Sequence, residues 1–136
     1  MWMHEESIEI AAPPARIWKL FADVANWKRW NAGIESIVIH GPFVAGTTFS
    51  MKPPGVEEFT STLMEVRENE NFTDETVIDG TRFVVRHALT GLPSGKTRVT
   101  YGTEVSGPAA AEFGPMITAD FPDVLAPLKR LAESSQ

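Results

Sequence analysis

The C-terminal part of the chain carries apolar residues at the spacing of one helical face. Within residues 109–131 an apolar side chain recurs every three or four positions, which is typical of an amphipathic helix. These residues are Phe113, Met116, Ile117, Phe121, Val124, Leu125, Leu128 and Leu131. Most of residues 56–105 instead alternate apolar and polar side chains, which is typical of strands buried on one face. The pattern therefore predicts a helix whose apolar stripe packs on an antiparallel sheet.

The other elements follow from the same periodicities and from turn-forming residues. An alternating segment at residues 6–11 predicts a first strand, which Pro13 and Pro14 end. Two short helical segments follow, the second at residues 23–30. Further strands are predicted at residues 34–40, 47–52, 56–67, 72–78, 82–92 and 96–105.

The C-terminal helix is not expected to be continuous. Pro122 and Pro127 each lack the backbone donor that an intact helix requires, and each crowds the preceding turn. The sequence therefore predicts a break near Asp120, which would cap a second helical segment, and a mild kink at Pro127.

Several stretches of the chain resemble the START-like superfamily, also called SRPBCC, and in particular its polyketide cyclase/dehydrase-like branch. They are residues 8–18 (IEIAAPPARIW), 23–27 (DVANW), 30–31, 46–47, 95–100 (GKTRVT), 107–108 and 125–133 (LAPLKRLAE). The resemblance implies one START-like domain over residues 1–136 with an α+β helix-grip fold. In that fold a curved antiparallel sheet of about six or seven strands wraps around a long C-terminal helix, with two short helices after the first strand. The resemblance also implies a cavity for an apolar ligand between sheet and helix.

Two turns predict which residues pair across the sheet. Residues 93–95 fit a three-residue hairpin loop, which places His87 opposite Tyr101. Asp79-Gly80 fits a two-residue turn, which places Phe72 opposite His87 and Asp74 opposite Val85. One face then carries Phe72, Asp74, Thr76, Phe83, Val85, His87, Leu89, Val99, Tyr101, Thr103 and Val105. The other face carries most of the charged side chains, so the first face is predicted to meet the helix.

Three polar residues fall on the helix-facing side and are the candidate catalytic residues. A carboxylate at Asp74, diagonal to His87, would fix the tautomer of the imidazole and raise its pKa, and the phenol of Tyr101 could donate to a carbonyl. His87 would then act as the acid or base of an aldol cyclisation or dehydration. The alternative interpretation is that these side chains are only the hydrogen-bonded lining of the sheet.

Aromatic and apolar side chains complete the predicted ligand-binding set. Trp27 and Trp30 would share one side of a short helix, where they either gate the cavity or pack between helix and sheet. Met51, Met64 and Met116 offer an adaptable lining. The remaining members are Phe49, Phe59, Phe72, Phe83, Val85, Val99, Thr103, Phe113, Ile117 and Phe121. The facing of the strand at residues 56–67 stays open, because the turn after it fits several lengths.

Composition narrows the class of protein. A chain of 136 residues fits one domain, and the absence of cysteine excludes disulfides, thiolate nucleophiles and sulfur-ligated metals. A net charge of −6 argues against a nucleic-acid partner, whose phosphates would require a basic face. The three histidines share no ligand spacing, so neither a metal nor a cofactor is predicted. Neither a secretory signal nor a membrane-spanning run is visible, so we expect a cytoplasmic protein; the sequence is compatible with a homodimer.

Three functional hypotheses follow. The first is a binding module for a small, mostly apolar molecule, such as a lipid, an aromatic or a polyketide-like compound. The second is a cyclase or dehydrase that uses the same cavity with His87, Asp74 and Tyr101. The third is a protein-interaction module of the Hsp90-activator type, a branch that shares the fold, although no exposed apolar patch is visible in the sequence.

Overall fold

An antiparallel sheet forms the larger layer of the protein in a computed structural model that describes residues 1–119 and 121–134, without the side chain of Ile117. Its strands are β1 (Trp2–Ile10), β2 (Ser36–Ile39), β3 (Thr48–Lys52), β4 (Phe59–Arg67), β5 (Asn71–Ile78), β6 (Thr81–Gly91) and β7 (Thr97–Ser106). They lie side by side in the order β1-β7-β6-β5-β4-β3-β2. Every neighbouring pair after the first is joined by a short local connection, while β1 closes the sheet against β7.

The helices lie at two points of the chain. Helix α1 (Pro14–Ala22) and a 3₁₀ helix (Val24–Arg29) follow β1, and α2 (Ala110–Thr118) and α3 (Phe121–Ser134) follow β7. This arrangement confirms the predicted helix-grip fold. The C-terminal helix is divided as the prolines predicted, although Asp120, the expected cap, lies outside the described residues. No helix in the described part of the chain is long and apolar enough to cross a membrane.

The predicted register of the central strands is confirmed. Phe72 pairs with His87 on β5 and β6, and His87 pairs with Tyr101 on β6 and β7. The β6–β7 loop closes through the Leu92 N–H, which donates to the Lys96 carbonyl oxygen at 2.8 Å. Asp79 takes a positive φ of 51°, as a two-residue turn of this kind requires. Local turn chemistry therefore fixes which side chains of these strands face the helices.

The first strand begins earlier than predicted. Pairing with β7 extends from Trp2 to Ile10, whereas the sequence predicted a start at Glu6. The half-buried side chains of this extension are Trp2 and His4, whose rings stack with centroids 5.7 Å apart. Because His4 is polar, a search for apolar alternation missed the extension.

Strand β4 contains a bulge, and its pairing shows which of its side chains face inward, a question that the sequence left open. Leu63 pairs with Asp74 and Glu65 pairs with Thr73, which leaves Met64 without a cross-strand partner. Such a bulge shifts the alternation by one residue. Phe59 and Leu63 therefore face inward before it, and Val66 packs against the core after it.

Met64 is a correction to the predicted ligand-binding set. Its side chain is 48% exposed and does not border the cavity described below. The physical reason is that Met64 follows the inward-facing Leu63, so strand alternation turns its side chain outward. Nothing in the residue types around Met64 signals the bulge, so the sequence alone could not place it.

Candidate functional site

A cavity of about 360 Å³ lies between the inward face of the sheet, the 3₁₀ helix and the C-terminal helices. Its walls are mostly aromatic and aliphatic. Predicted ligand-binding residues that line it are Trp27, Trp30, Phe49, Met51, Phe59, Phe72, Phe83, Val85, Met116 and Phe121, and the polar residues Asp74, His87 and Tyr101 line it too. Ile78 and Met116 are 43% and 65% exposed, so they mark the side on which the cavity meets solvent.

Several lining residues were not in the predicted set. They are Asn31, Gly33, Pro53, Ser61, Thr76, Ile78 and Val124. The alternation of β5 had placed Thr76 on the inward face, and its hydroxyl pairs with that of Ser61 at 2.5 Å. The sequence could not predict that Ser61 faces inward, because it did not determine which side chains of β4 point to the interior. Asn31, Gly33 and Pro53 lie outside helices and strands, where no periodicity identifies an inward side chain.

Two predicted residues of β7 face inward but do not line the cavity. Val99 is fully buried and belongs to the hydrophobic core, and Thr103 is 2% exposed. Both are covered by the packing between sheet and helices. Strand alternation predicts the inward direction, but it does not show where the covering helix touches the sheet and where it stands away.

Helix α2 presents a different face from the one that its apolar pattern predicted. Among its described side chains, the buried positions are the small residues Ala110, Gly114 and Thr118. Phe113 is 38% exposed, with its ring 6.3 Å from that of Phe83. A β-carbon at Gly114 would collide with the ring of Trp2, so the helix approaches the sheet closely at this glycine. Phe113 therefore does not line the cavity, and the side chain of Ile117 lies outside the described residues.

The two tryptophans of the 3₁₀ segment form a wall of the cavity. Trp27 is 6% exposed and Trp30 is 4% exposed. The indole N–H of Trp27 donates to the Phe21 carbonyl oxygen at 2.8 Å, and its ring stacks on Phe72 with centroids 5.6 Å apart. Of the two alternatives stated for these residues, the packed arrangement is the one observed.

His87 lies in the middle of the polar group, held by its neighbours on both sides. Its ring stacks on Phe72 with centroids 3.9 Å apart and planes 7° apart, and the ring of Tyr101 meets it edge-on at 4.6 Å. The Nδ1–H donates to the Phe72 carbonyl oxygen at 3.2 Å. The same nitrogen lies 4.0 Å from Oδ2 of Asp74. Because a carbonyl oxygen only accepts hydrogen bonds, this contact assigns the proton of the neutral ring to Nδ1.

Burial shifts the two acid–base groups in directions that exclude an ion pair near neutral pH. It lowers the pKa of His87 to about 3, although the hydrogen bond to the Phe72 carbonyl acts in the opposite direction. It raises the pKa of Asp74 to about 7. The expectation of a raised pKa for His87 is therefore wrong, because loss of hydration lowers this pKa by more than the hydrogen bond to the Phe72 carbonyl raises it. His87 is neutral at pH 7, and Asp74 is the group that titrates there.

Tyr101 completes the polar end of the cavity. Its side chain is 3% exposed, and its hydroxyl has no hydrogen-bond partner among the described residues. Burial raises the pKa of this phenol, and the charge of Asp74 raises it further, which places the phenol within the field of that carboxyl. A buried hydroxyl left without a partner costs about 1–3 kcal/mol, so this group favours a molecule that supplies one.

Comparison with known proteins identifies related sequences and folds. The sequence model described as "Polyketide cyclase / dehydrase and lipid transport" matches residues 1–133. No curated protein matches the chain with significant similarity.

Solved structures with the same fold cover nearly the whole chain. Norcoclaurine synthase from Thalictrum flavum, in complex with dopamine and hydroxybenzaldehyde, has a TM-score of 0.80 at 16% identity and covers 99% of this chain and 88% of its own. A Mesorhizobium loti protein has a TM-score of 0.80 at 15% identity, with 99% of both chains covered. A START superfamily protein from Mycobacterium smegmatis has a TM-score of 0.76 at 18% identity and covers 98% of this chain and 99% of its own. At these identities the likeness concerns the fold.

The raised pKa of Asp74 predicts a pH-dependent stability that an Asp74→Asn variant should lose. In the unfolded chain this carboxyl titrates near 3.8, and in the folded chain it titrates at about 7. Below about pH 4 both states hold the proton, and as the pH rises the unfolded state releases it first, which destabilises the fold until the penalty is complete above about pH 7. Asparagine should therefore gain free energy of unfolding relative to the wild type between about pH 4 and pH 8, by up to a few kcal/mol.

Urea denaturation at several pH values measures this difference. Glu104→Gln, which removes a charge from the outer face of β7, serves as the control for net charge. A gain that both variants share would reflect net charge, and equal pH profiles for Asp74→Asn and the wild type would contradict the burial of the carboxyl.

Proposed function

The chain belongs to the polyketide cyclase / dehydrase and lipid transport family, and we propose that it binds a small, mostly apolar molecule in the cavity between the sheet and the C-terminal helices. The observation that carries this proposal is the cavity itself. It encloses about 360 Å³ behind aromatic walls, within the size range of small-molecule sites. A packed core would fill such a space, since each unfilled methyl-sized gap in an interior costs about 1 kcal/mol.

The character of the lining indicates what would fill the space. Trp27, Phe49 and Phe72 present large aromatic surfaces, whose contact with a flat or flexible apolar molecule removes much area from water. A few polar groups at one end would orient that molecule. The solved structure of norcoclaurine synthase holds dopamine and hydroxybenzaldehyde, so the same fold accommodates small aromatic compounds in another protein.

A second proposal is that the cavity catalyses proton transfer of the cyclase or dehydrase type. It is supported by the titration of Asp74 near neutral pH in the same cavity as the unpartnered hydroxyl of Tyr101. Asp74 as carboxylate would remove a proton from the carbon beside a carbonyl, and the Tyr101 hydroxyl would donate to the developing enolate oxygen. His87, whose pKa is low, would then hold the geometry without exchanging a proton.

Native mass spectrometry of the freshly purified protein tests the binding proposal, with neighbouring residues of β6 as matched variants. Val85 lines the cavity, whereas Val84 lies on the opposite face of the same strand. The wild type should retain a molecule that is lost on denaturation. Val85→Phe should reduce its occupancy by at least about tenfold because the larger side chain fills the space, and Val84→Phe should leave occupancy unchanged.

The same spectra decide between binding and other roles. Equal occupancy in the two variants would place the molecule outside the cavity. A wild-type spectrum without any retained molecule, together with no uptake of added apolar compounds, would contradict the binding proposal and favour the protein-interaction alternative.

Deuterium exchange from solvent into a small cyclic ketone tests the second proposal without a known substrate. The wild type should accelerate exchange at the carbon beside the carbonyl, measured by NMR. Asp74→Asn should lower the protein-dependent rate by at least about 10²-fold, and Tyr101→Phe should lower it less, since general acid–base catalysis typically contributes factors of this size. An unchanged rate in a correctly folded Asp74→Asn variant would contradict proton transfer by this carboxyl.

A further inference from the structure

The polar groups of the cavity are unevenly distributed, and Asp74, His87 and Tyr101 form one cluster. They lie on the neighbouring strands β5, β6 and β7 and are brought together by cross-strand pairing. The hydroxyls of Ser61 and Thr76 hydrogen-bond to each other. Within the described residues, the C-terminal helices present only apolar side chains to the cavity, namely Met116, Phe121 and Val124. Asn31 is a further polar side chain of the lining, and its Oδ1 accepts from the Gly33 N–H at 2.9 Å. The three titratable side chains of the lining therefore lie together, and we call this cluster the polar end of the cavity.

The hydrogen-bonding capacity of this end is only partly used. His87 commits its Nδ1–H to the Phe72 carbonyl oxygen. The Asp74 carboxyl lies 4.0 Å from His87 Nδ1, beyond hydrogen-bond distance, and makes no hydrogen bond to another described side chain. The Tyr101 hydroxyl is also without a partner there. A ligand head placed at this end meets an acceptor at Asp74 and a hydroxyl at Tyr101.

The charge balance of the lining is the second independent observation. Among the described residues that line the cavity there is neither lysine nor arginine, and His87 is neutral at pH 7. A carboxylate or phosphate that entered would lose its hydration without gaining a counter-ion, and it would face Asp74. An uncompensated buried charge costs several kcal/mol, so the site opposes anionic heads.

We propose that the ligand carries a hydrogen-bond-donating head, an amine or a hydroxyl, that meets Asp74, and that the cavity rejects ligands with a carboxylate or phosphate head. This inference rests on the binding function proposed above and narrows its ligand class. An ammonium head should gain the most binding free energy, because it donates hydrogen bonds and also supplies a counter-ion for the ionised carboxyl of Asp74. A neutral hydroxyl gains hydrogen bonds alone.

Three matched probes separate these heads: naphthylethylamine, naphthylethanol and naphthylacetate, which share one aromatic body. Isothermal titration at about pH 8, where the amine is cationic and the acid anionic, should give the order amine, alcohol, acetate from tightest to weakest. We expect the acetate to bind at least about tenfold more weakly than the alcohol, because only the acetate places an unpaired anion beside Asp74. Equal affinity for the acetate and the alcohol would overturn the proposed rejection of anionic heads but would not contradict binding in the cavity.

Variants assign the selectivity to the proposed carboxyl. Asp74→Asn should remove the advantage of the amine over the alcohol. Glu75→Gln is the matched control, because Glu75 is the next residue of β5, lies on the outer face and pairs with Arg82. The control should keep the preference for the amine, since it changes the net charge equally without touching the cavity. A preference that survives Asp74→Asn would overturn the role of this residue.

The pH dependence of binding to the wild type tests the role of Asp74 independently, should the Asp74→Asn variant not fold. Lowering the pH from about 8 to about 5.5 protonates Asp74, while His87 and Tyr101, the titratable groups that face it among the described residues, stay neutral. The amine should lose most of its advantage over the alcohol across this range. An advantage that does not change with pH would contradict the proposal. Failure of all three probes to bind, with no molecule retained in the native spectrum, would overturn the binding function as well.

Discussion

Cross-strand register in β5, β6 and β7 is the constraint on which the rest of the structure depends. The turns at Asp79-Gly80 and at residues 93–95 place Phe72, His87 and Tyr101 in one row across the sheet. A slip of one residue would turn this row to the outer face and leave an apolar cavity without a polar end. The local chemistry of two tight turns thus decides the character of a cavity formed by distant parts of the chain.

Desolvation then decides how the polar end behaves. At 4.0 Å, Asp74 and His87 look like an ion pair, but burial among aromatic rings raises the pKa of the carboxyl and lowers that of the imidazole. Both groups are therefore driven towards their neutral forms. The ring of His87 stacks on Phe72 and donates a hydrogen bond to a carbonyl oxygen, so it is held in one orientation in the cavity lining. The group left free to exchange a proton or pair with a ligand is Asp74.

Much of this architecture was predictable from the sequence, and the failures have physical causes. Alternation and turn residues predicted the strands and the pairing of His87 with Tyr101, because both signals are local. The bulge at Met64 and the small-residue contact of Gly114 with Trp2 were not predictable, since each depends on how separate elements approach. The pKa of His87 was predicted in the wrong direction because the spacing of residues gives the charge partner but not the depth of burial.

The chain contains a single tyrosine, so fluorotyrosine labelling places one ¹⁹F probe at the polar end of the cavity. Titration with naphthylethanol, followed by ¹⁹F NMR, therefore measures most directly whether an apolar ligand with a donor head occupies that end. We expect a saturable shift of the Tyr101 resonance that parallels binding measured by calorimetry and is lost in Val85→Phe. Binding in calorimetry without any shift of this resonance would contradict it.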